Sequence, residues 1–106
     1  MVKFSVIVTV YNTESYLEKC LESIAQQTYE KFEVVIVNDG STDNSKKIID
    51  KFVKNDKRFK SFVKENSGIA DTRNYALTKI KGEYFLFVDG DDSINPELLE
   101  RMASRL

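Results

Sequence analysis

"FSVIVTV" (4–10) and "FEVVIVN" (32–38) are the two stretches that decide how this chain folds. Both are dominated by β-branched residues, both are too short for an ordinary helix, and both read as apolar on the two faces of an extended strand. A strand with no polar face needs cover on both sides, which is the situation of a parallel strand between helices. Between them, Leu17, Cys20, Leu21, Ile24 and Ala25 recur at i, i+3, i+4, i+7 and i+8. That is one continuous helical stripe, with Glu14 in the first turn where the helix dipole favours an acid. Strand, helix and strand make a β-α-β unit.

The same grammar continues outward. "FKSFV" (59–63) and "YFLFV" (84–88) are further strand-like runs. Ile48, Ile49, Phe52 and Val53 form a second helical stripe, and Ile69, Ala70, Arg73, Ala76, Leu77 and Ile80 a third, which Gly82 is expected to end at C′. Asn95 is the expected cap and Pro96 the first residue of a fourth helix carrying Leu98, Leu99, Met102 and Leu106. The order β-α-β-α-β-α-β-α predicts an α/β, Rossmann-like parallel sheet with helices on both faces, right-handed crossovers and strand order 3-2-1-4. A doubly wound domain usually continues beyond four strands, so residues 1–106 are expected to be part of a domain that is truncated.

Composition narrows the function. Sixteen Lys and Arg stand against seventeen Asp and Glu, a net charge of −1, which argues against a general nucleic-acid binder. One cysteine, Cys20, cannot form an internal disulfide, and its place on the first stripe reads as core. With no histidine, no imidazole can serve as base and any metal must be held mainly by oxygen. No signal-peptide pattern and no membrane-spanning run is visible, so a cytoplasmic location is expected. The Lys- and Arg-rich segment 46–60 reads as a solvated helix face, leaving at most a weak peripheral contact with a membrane.

In an open parallel sheet, ligands bind beyond the carboxyl ends of the strands, where the strand order reverses. With order 3-2-1-4 that point lies between "TVYN" (9–12) and "DGDD" (89–92), with "NDGSTD" (38–43) beside them. Asp39, Asp89, Asp91 and Asp92 would therefore gather on one edge with Tyr11 among them. Two carboxylates about 4 Å apart repel by about 1 kcal/mol in water and about 4 near a protein surface. Full solvation relieves this, as in a plain turn that caps the next helix, and so does a hard cation such as Mg2+ or Mn2+, which can also neutralise a diphosphate. Asp39 reads either as a turn residue or as an acceptor for the edge of a base, and Tyr11 as core or as a stacking platform. Arg73 reads either as a snorkelling surface residue or as a charge facing the pocket.

These motifs resemble the N-terminal half of family 2 glycosyltransferases, inverting sugar transferases of GT-A fold. The match runs through "SVIVTVYNTESYLEKCLESIAQQTYEKFEVVIVNDGSTD", "ENSGIADTRNYAL" and "GEYFLFVDGDD", essentially the whole chain. The resemblance implies a nucleotide-diphospho-sugar donor, a UDP-sugar above all, bound by Thr9, Tyr11, Glu14, Asp39, Arg73, Asp89 and Gly90. It implies Asp39 on uracil, and Asp91 with Asp89 on a Mn2+ or Mg2+ ion that bridges the diphosphate. It also implies a saccharide or lipid-linked acceptor, a role in polysaccharide biosynthesis, and a general base lying beyond Leu106. Thr9 stands where that family commonly has Pro, and Thr72 where Ala often precedes the Arg.

Two rival readings have different consequences. "FLFVDGDDS" (85–93) also looks like the nucleophile signature of haloacid dehalogenase-type phosphatases, although there the motif ends the first strand. A non-catalytic nucleotide-binding module is the other. A half-sheet is further expected to expose apolar surface on its first or fourth strand and on Leu99, Met102 and Leu106, which favours self-association.

Overall fold

β1 (Phe4–Val10) is buried at every residue, and it achieves this by pairing on both edges. In the computed structural model, which describes residues 2–106, β1 runs parallel to β2 (Phe32–Asp39) on one side and to β4 (Tyr84–Asp89) on the other. β3 (Phe59–Lys64) pairs in parallel with the free edge of β2. The order β3-β2-β1-β4 is the one expected from the sequence. Register places Thr9 between Val37 and Asp89, and Asp39 beside Lys64.

The two faces are roofed unequally. Phe4, Val6, Val8 and Val10 pack with Leu17, Cys20, Leu21 and Ile24 of α1 (Glu14–Ala25), Ile49 of α2 (Ser45–Asn55) and Leu99 of α4 (Leu98–Ala103). Each such side chain contributes about 1.5–3 kcal/mol on burial. On the other face Ile7, Val35 and Val37 meet only Ala76 of α3 (Ile69–Leu77), flanked by Phe62, Tyr75, Ile80 and Phe87. α4 is held by buried Gln27, whose side chain donates to Asn95 O at 2.7 Å and accepts from Leu99 N at 3.1 Å.

Four local expectations need correcting. The buried face of α3 is Thr72 and Ala76, whereas Ile69 and Leu77 are 52% and 38% exposed and the helix stops at Leu77, short of Ile80. Small residues let the helix sit close to Ile7 and Val35, and Thr72 can be buried because its hydroxyl donates to Gly68 O at 2.8 Å. Gly82 is no helix cap: a Cβ there would lie 2.7 Å from Ser5 Oγ and 2.8 Å from the backbone of Phe4. Its N–H donates to Ser5 Oγ at 2.8 Å, and Ser5 in turn donates to buried Glu33 at 2.6 Å. Asn95 accepts from Glu97 N at 2.8 Å, but α4 begins only at Leu98, so this is the cap of the turn that leads into the helix. Leu99 is fully buried and Met102 packs on the same core, so of the apolar surface expected on the outer strands and the last helix, Tyr84 and Phe85 at the sheet edge and Leu106 beyond α4 are exposed.

The close approach at Gly82 yields a stability test. Gly82→Ala should push β4 from β1 at the strand entrance and cost about 1–3 kcal/mol in urea unfolding. An unchanged midpoint would contradict the packing described.

Candidate functional site

The chain leaves β1 through Tyr11 and Asn12, and Asn12 adopts the left-handed conformation at φ 51°. Asn tolerates that region because its short amide can bond locally. Its Oδ1 accepts from Thr42 N at 2.8 Å and Asp43 N at 3.3 Å, and its own N–H donates to Ser41 Oγ at 3.0 Å. Thr13 N donates to Ser45 Oγ and Glu14 N to Asp43 Oδ2. The loops after β1 and β2 are thus laced together, and Tyr11 stands on them half exposed.

Asp39 ends β2, and it is buried. Its Oδ1 accepts from Lys64 Nζ at 2.8 Å and Ser67 N at 3.0 Å, and its Oδ2 from Gly68 N at 3.1 Å. Burial works to raise its pKa; the hydrogen bonds from Lys64, Ser67 and Gly68 overcome this and hold it below the usual carboxylate range. Gly40 follows at φ 69°, and a Cβ there would lie 2.8 Å from Asn66 N, so the β3–α3 loop closes directly over the end of β2.

Asp89 ends β4. Thr9 Oγ1 donates to its Oδ1 at 3.1 Å, and the Arg73 guanidinium lies 3.9 Å from the same oxygen and over the Phe87 ring. Arg73, read from sequence as either a snorkelling surface residue or a charge facing the pocket, is 42% exposed along its side chain and lies at the end of β4 beside Asp89. Asp92 N donates to Asp89 O, closing a tight turn in which carboxylate oxygens of Asp89, Asp91 and Asp92 fall within 4.8 Å of one another. Gly90 N donates to Thr9 O at 2.9 Å, and a Cβ on Gly90 would meet Thr13 Oγ1 at 2.8 Å. Beneath the turn, burial and then the charges of Asp92, Asp91 and Asp89 push the Cys20 thiol up to about 12, so it is an inert core group.

Thr9, Tyr11, Thr13, Asp39, Gly68, Ile69, Asp89, Gly90 and Asp91 line one open cleft of about 420 Å³. Of the residues named from sequence, Glu14, Arg73 and Asp92 are outside that lining. Glu14 is committed through its backbone to Asp43, while Arg73 reaches the cleft edge through Asp89. Thr13 Oγ1 and Arg73 Nε are buried without a partner, so the rim holds unused polar capacity. Three convergent carboxylates with a hydroxyl nearby are an all-oxygen donor set, and that set fits a hard divalent cation. Sequence reading overlooked Asn12, Thr13, Lys64 and Asn66. An Asn directly after a strand was a visible turn signal, but Lys64 is informative only once the β2–β3 register is known.

Residues 5–106 match the family model described as Glycosyl transferase family 2. The chain belongs to that family. It is 45% identical over 104 residues to glycosyltransferase GlyA of Streptococcus pneumoniae, covering 98% of this chain and 15% of that protein. The structure of residues 1–349 of Staphylococcus aureus TarS in complex with UDP-GlcNAc superposes with a TM-score of 0.91 at 44% identity, over 97% of this chain and 30% of that one. Mannosyltransferase PcManGT from Pyrobaculum calidifontis, in complex with GDP-Man and Mn2+, superposes at 0.80 with 29% identity, over 86% of this chain and 28% of that one. The chain spans about a third or less of the length of the curated relatives it matches. Membership removes the dehalogenase reading of the 85–93 segment, and the four-stranded sheet of order 3-2-1-4 is that of the GT-A fold.

The environment of Asp39 gives a pH test. Its folded pKa lies below the unfolded value of about 3.9, so the stability it contributes is complete above that pH and is lost as pH falls through the folded value. In urea unfolding from pH 6 down to 2, the parent should lose stability more steeply than Asp39→Asn. Parallel curves would contradict an ionised, hydrogen-bonded Asp39.

Proposed function

We propose that this chain is the donor-binding part of a glycosyltransferase that takes a nucleotide-diphospho-sugar, most simply a UDP-sugar. The observation that carries the reading is the convergence of Asp89, Asp91 and Asp92 at the strand-end cleft that also holds Asp39 and Tyr11. The UDP-GlcNAc complex of a relative supports a uridine donor, and the Mn2+ complex of another supports a metal.

Each residue then has a chemical task. Tyr11 offers an aromatic face to the base, and Asp39 accepts from its imide N–H. Asp91, with Asp89, holds Mn2+ or Mg2+, which when bound neutralises the diphosphate and stabilises it as a leaving group. Thr9 orients Asp89 by its hydrogen bond, and Arg73 supplies positive charge beside the same carboxylate. Gly90 lets the β4 turn approach Thr13 closely enough to shape the cleft. Inverting transfer further needs an acceptor hydroxyl, from a saccharide or a lipid-linked sugar, and a base to deprotonate it for in-line attack. The cleft carboxylates are engaged with donor and metal in this reading, so the base and the acceptor surface are proposed to lie outside residues 1–106. No described helix is long and apolar enough to cross a membrane. Much of the basic segment is paired, in Lys46–Asp50, Lys51–Glu18, Arg58–Asp56 and Lys60–Glu33, which argues against a polyanion-binding face. The exposed Tyr84 and Phe85 on the edge of β4 support self-association of this chain.

Calorimetric titration of UDP tests the reading. Binding should be at least about tenfold tighter with Mn2+ than with a chelator, and Asp91→Ala should bind in Mn2+ no better than the parent does in chelator. Equal affinity with and without the ion would remove the metal, and absence of UDP binding would remove the donor.

A further inference from the structure

Lys64, the last residue of β3, was singled out by no motif, yet it makes the most buried ion pair at the cleft. Its ammonium lies 2.8 Å from Asp39 Oδ1, with the two side chains 16% and 7% exposed. The ammonium also donates to Glu65 O at 2.8 Å and to Ser67 Oγ. Asn66 Nδ2 donates to Asp39 O at 3.0 Å, so the loop after β3 is fastened to the end of β2 through several bonds.

The consequence lies in what this leaves on the carboxylate. An ionised carboxylate offers about four acceptor directions, two on each oxygen. Lys64 and Ser67 N take both on Oδ1, and Gly68 N takes one on Oδ2. One acceptor direction remains, on Oδ2. Uracil presents a single ring N–H between two carbonyls, which one acceptor satisfies. Guanine presents N1–H beside its 2-amino group, a pair of donors that binds a carboxylate through both oxygens. With Oδ1 filled, one guanine donor would enter the cleft unpaired, at the desolvation cost of a buried polar group.

The geometry points to Lys64 as a positioning residue that sets base specificity, by filling Asp39 Oδ1 so that the site accepts uracil and rejects guanine. This rests on the reading of the cleft as a nucleotide-diphospho-sugar site with Asp39 at the base. A purely structural role for the ion pair makes a different prediction, because a loosened loop weakens both nucleotides alike.

The test is the ratio of UDP to GDP affinity, measured by calorimetry with Mn2+ for the parent, Lys64→Met, Lys64→Ala and Lys64→Arg. The parent should favour UDP by about tenfold or more, the size expected from one unpaired buried donor. Lys64→Met and Lys64→Ala should each lose most of that preference, and Lys64→Arg, which keeps a cationic donor on Oδ1, should retain it. The alanine variant guards against misfolding caused by the methionine side chain, and the parent's own ratio needs no variant. Affinities that fall together at a constant ratio would overturn the inference and leave a loop-fastening role. A parent that binds GDP as tightly as UDP would also overturn it while leaving the donor reading intact. Binding of neither nucleotide would overturn the donor reading, and this inference with it.

Discussion

A strand that is apolar on both faces and paired on both edges cannot shift without exposing apolar side chains or breaking a ladder of hydrogen bonds. β1 is such a strand, with Val6, Ile7 and Val8 fully buried and parallel neighbours on either side. Because all its neighbours are parallel, every strand delivers its carboxyl end to the same edge. A one-residue slip of β4 would turn Asp89 away from Thr9 and bring Val88 to the other face. The position of the acidic turn is therefore set by the hydrophobic core beneath it.

At the cleft the same residue type exists in two electrostatic states. Asp39 is buried, charged and saturated on one oxygen by Lys64 and Ser67 N, so it behaves as fixed architecture with one open acceptor. Asp91 and Asp92 are exposed and crowd Asp89, with Arg73 at 3.9 Å the one cation paired to the group among the described residues. A desolvated carboxylate with a single open acceptor suits selection of a neutral base edge, whereas crowded, hydrated carboxylates suit a cation that arrives with its own phosphate ligands. Asn12 and Asp43 tie the loops after β1 and β2 together, Asn66 ties the β3 loop to Asp39, and Thr9 bonds to Asp89 and Gly90, so the two environments are joined through the end of β1.

The strand order and the helix of the first β-α-β unit were legible because they depend on runs of apolar residues and on periodicity, which sequence displays directly. The gathering of Asp39 and Asp89–Asp91 was legible for the same reason, since topology alone brings strand ends together. What could not be read depends on partners distant in sequence. Ile69 and Leu77 look like core residues by spacing, but α3 turns Thr72 and Ala76 inward because the thin second layer demands small side chains. Gly82 looks like a helix stop and is instead a point of contact with Ser5, and Glu33 escaped notice within an apolar run although it accepts from Ser5, Lys60 and Lys81. Lys64 likewise became meaningful only through its register with Asp39.

Paramagnetic relaxation by Mn2+ in the presence of UDP, read across the assigned amide resonances, addresses the central claim most directly. The account predicts broadening centred on residues 89–92, extending to 9–13 and fading toward Ser5, Glu33 and Lys81 at the opposite end of the strands. Broadening centred instead on the acidic groups of α1 and α2, Glu18, Glu22 and Asp50, would contradict a metal site at the end of β4.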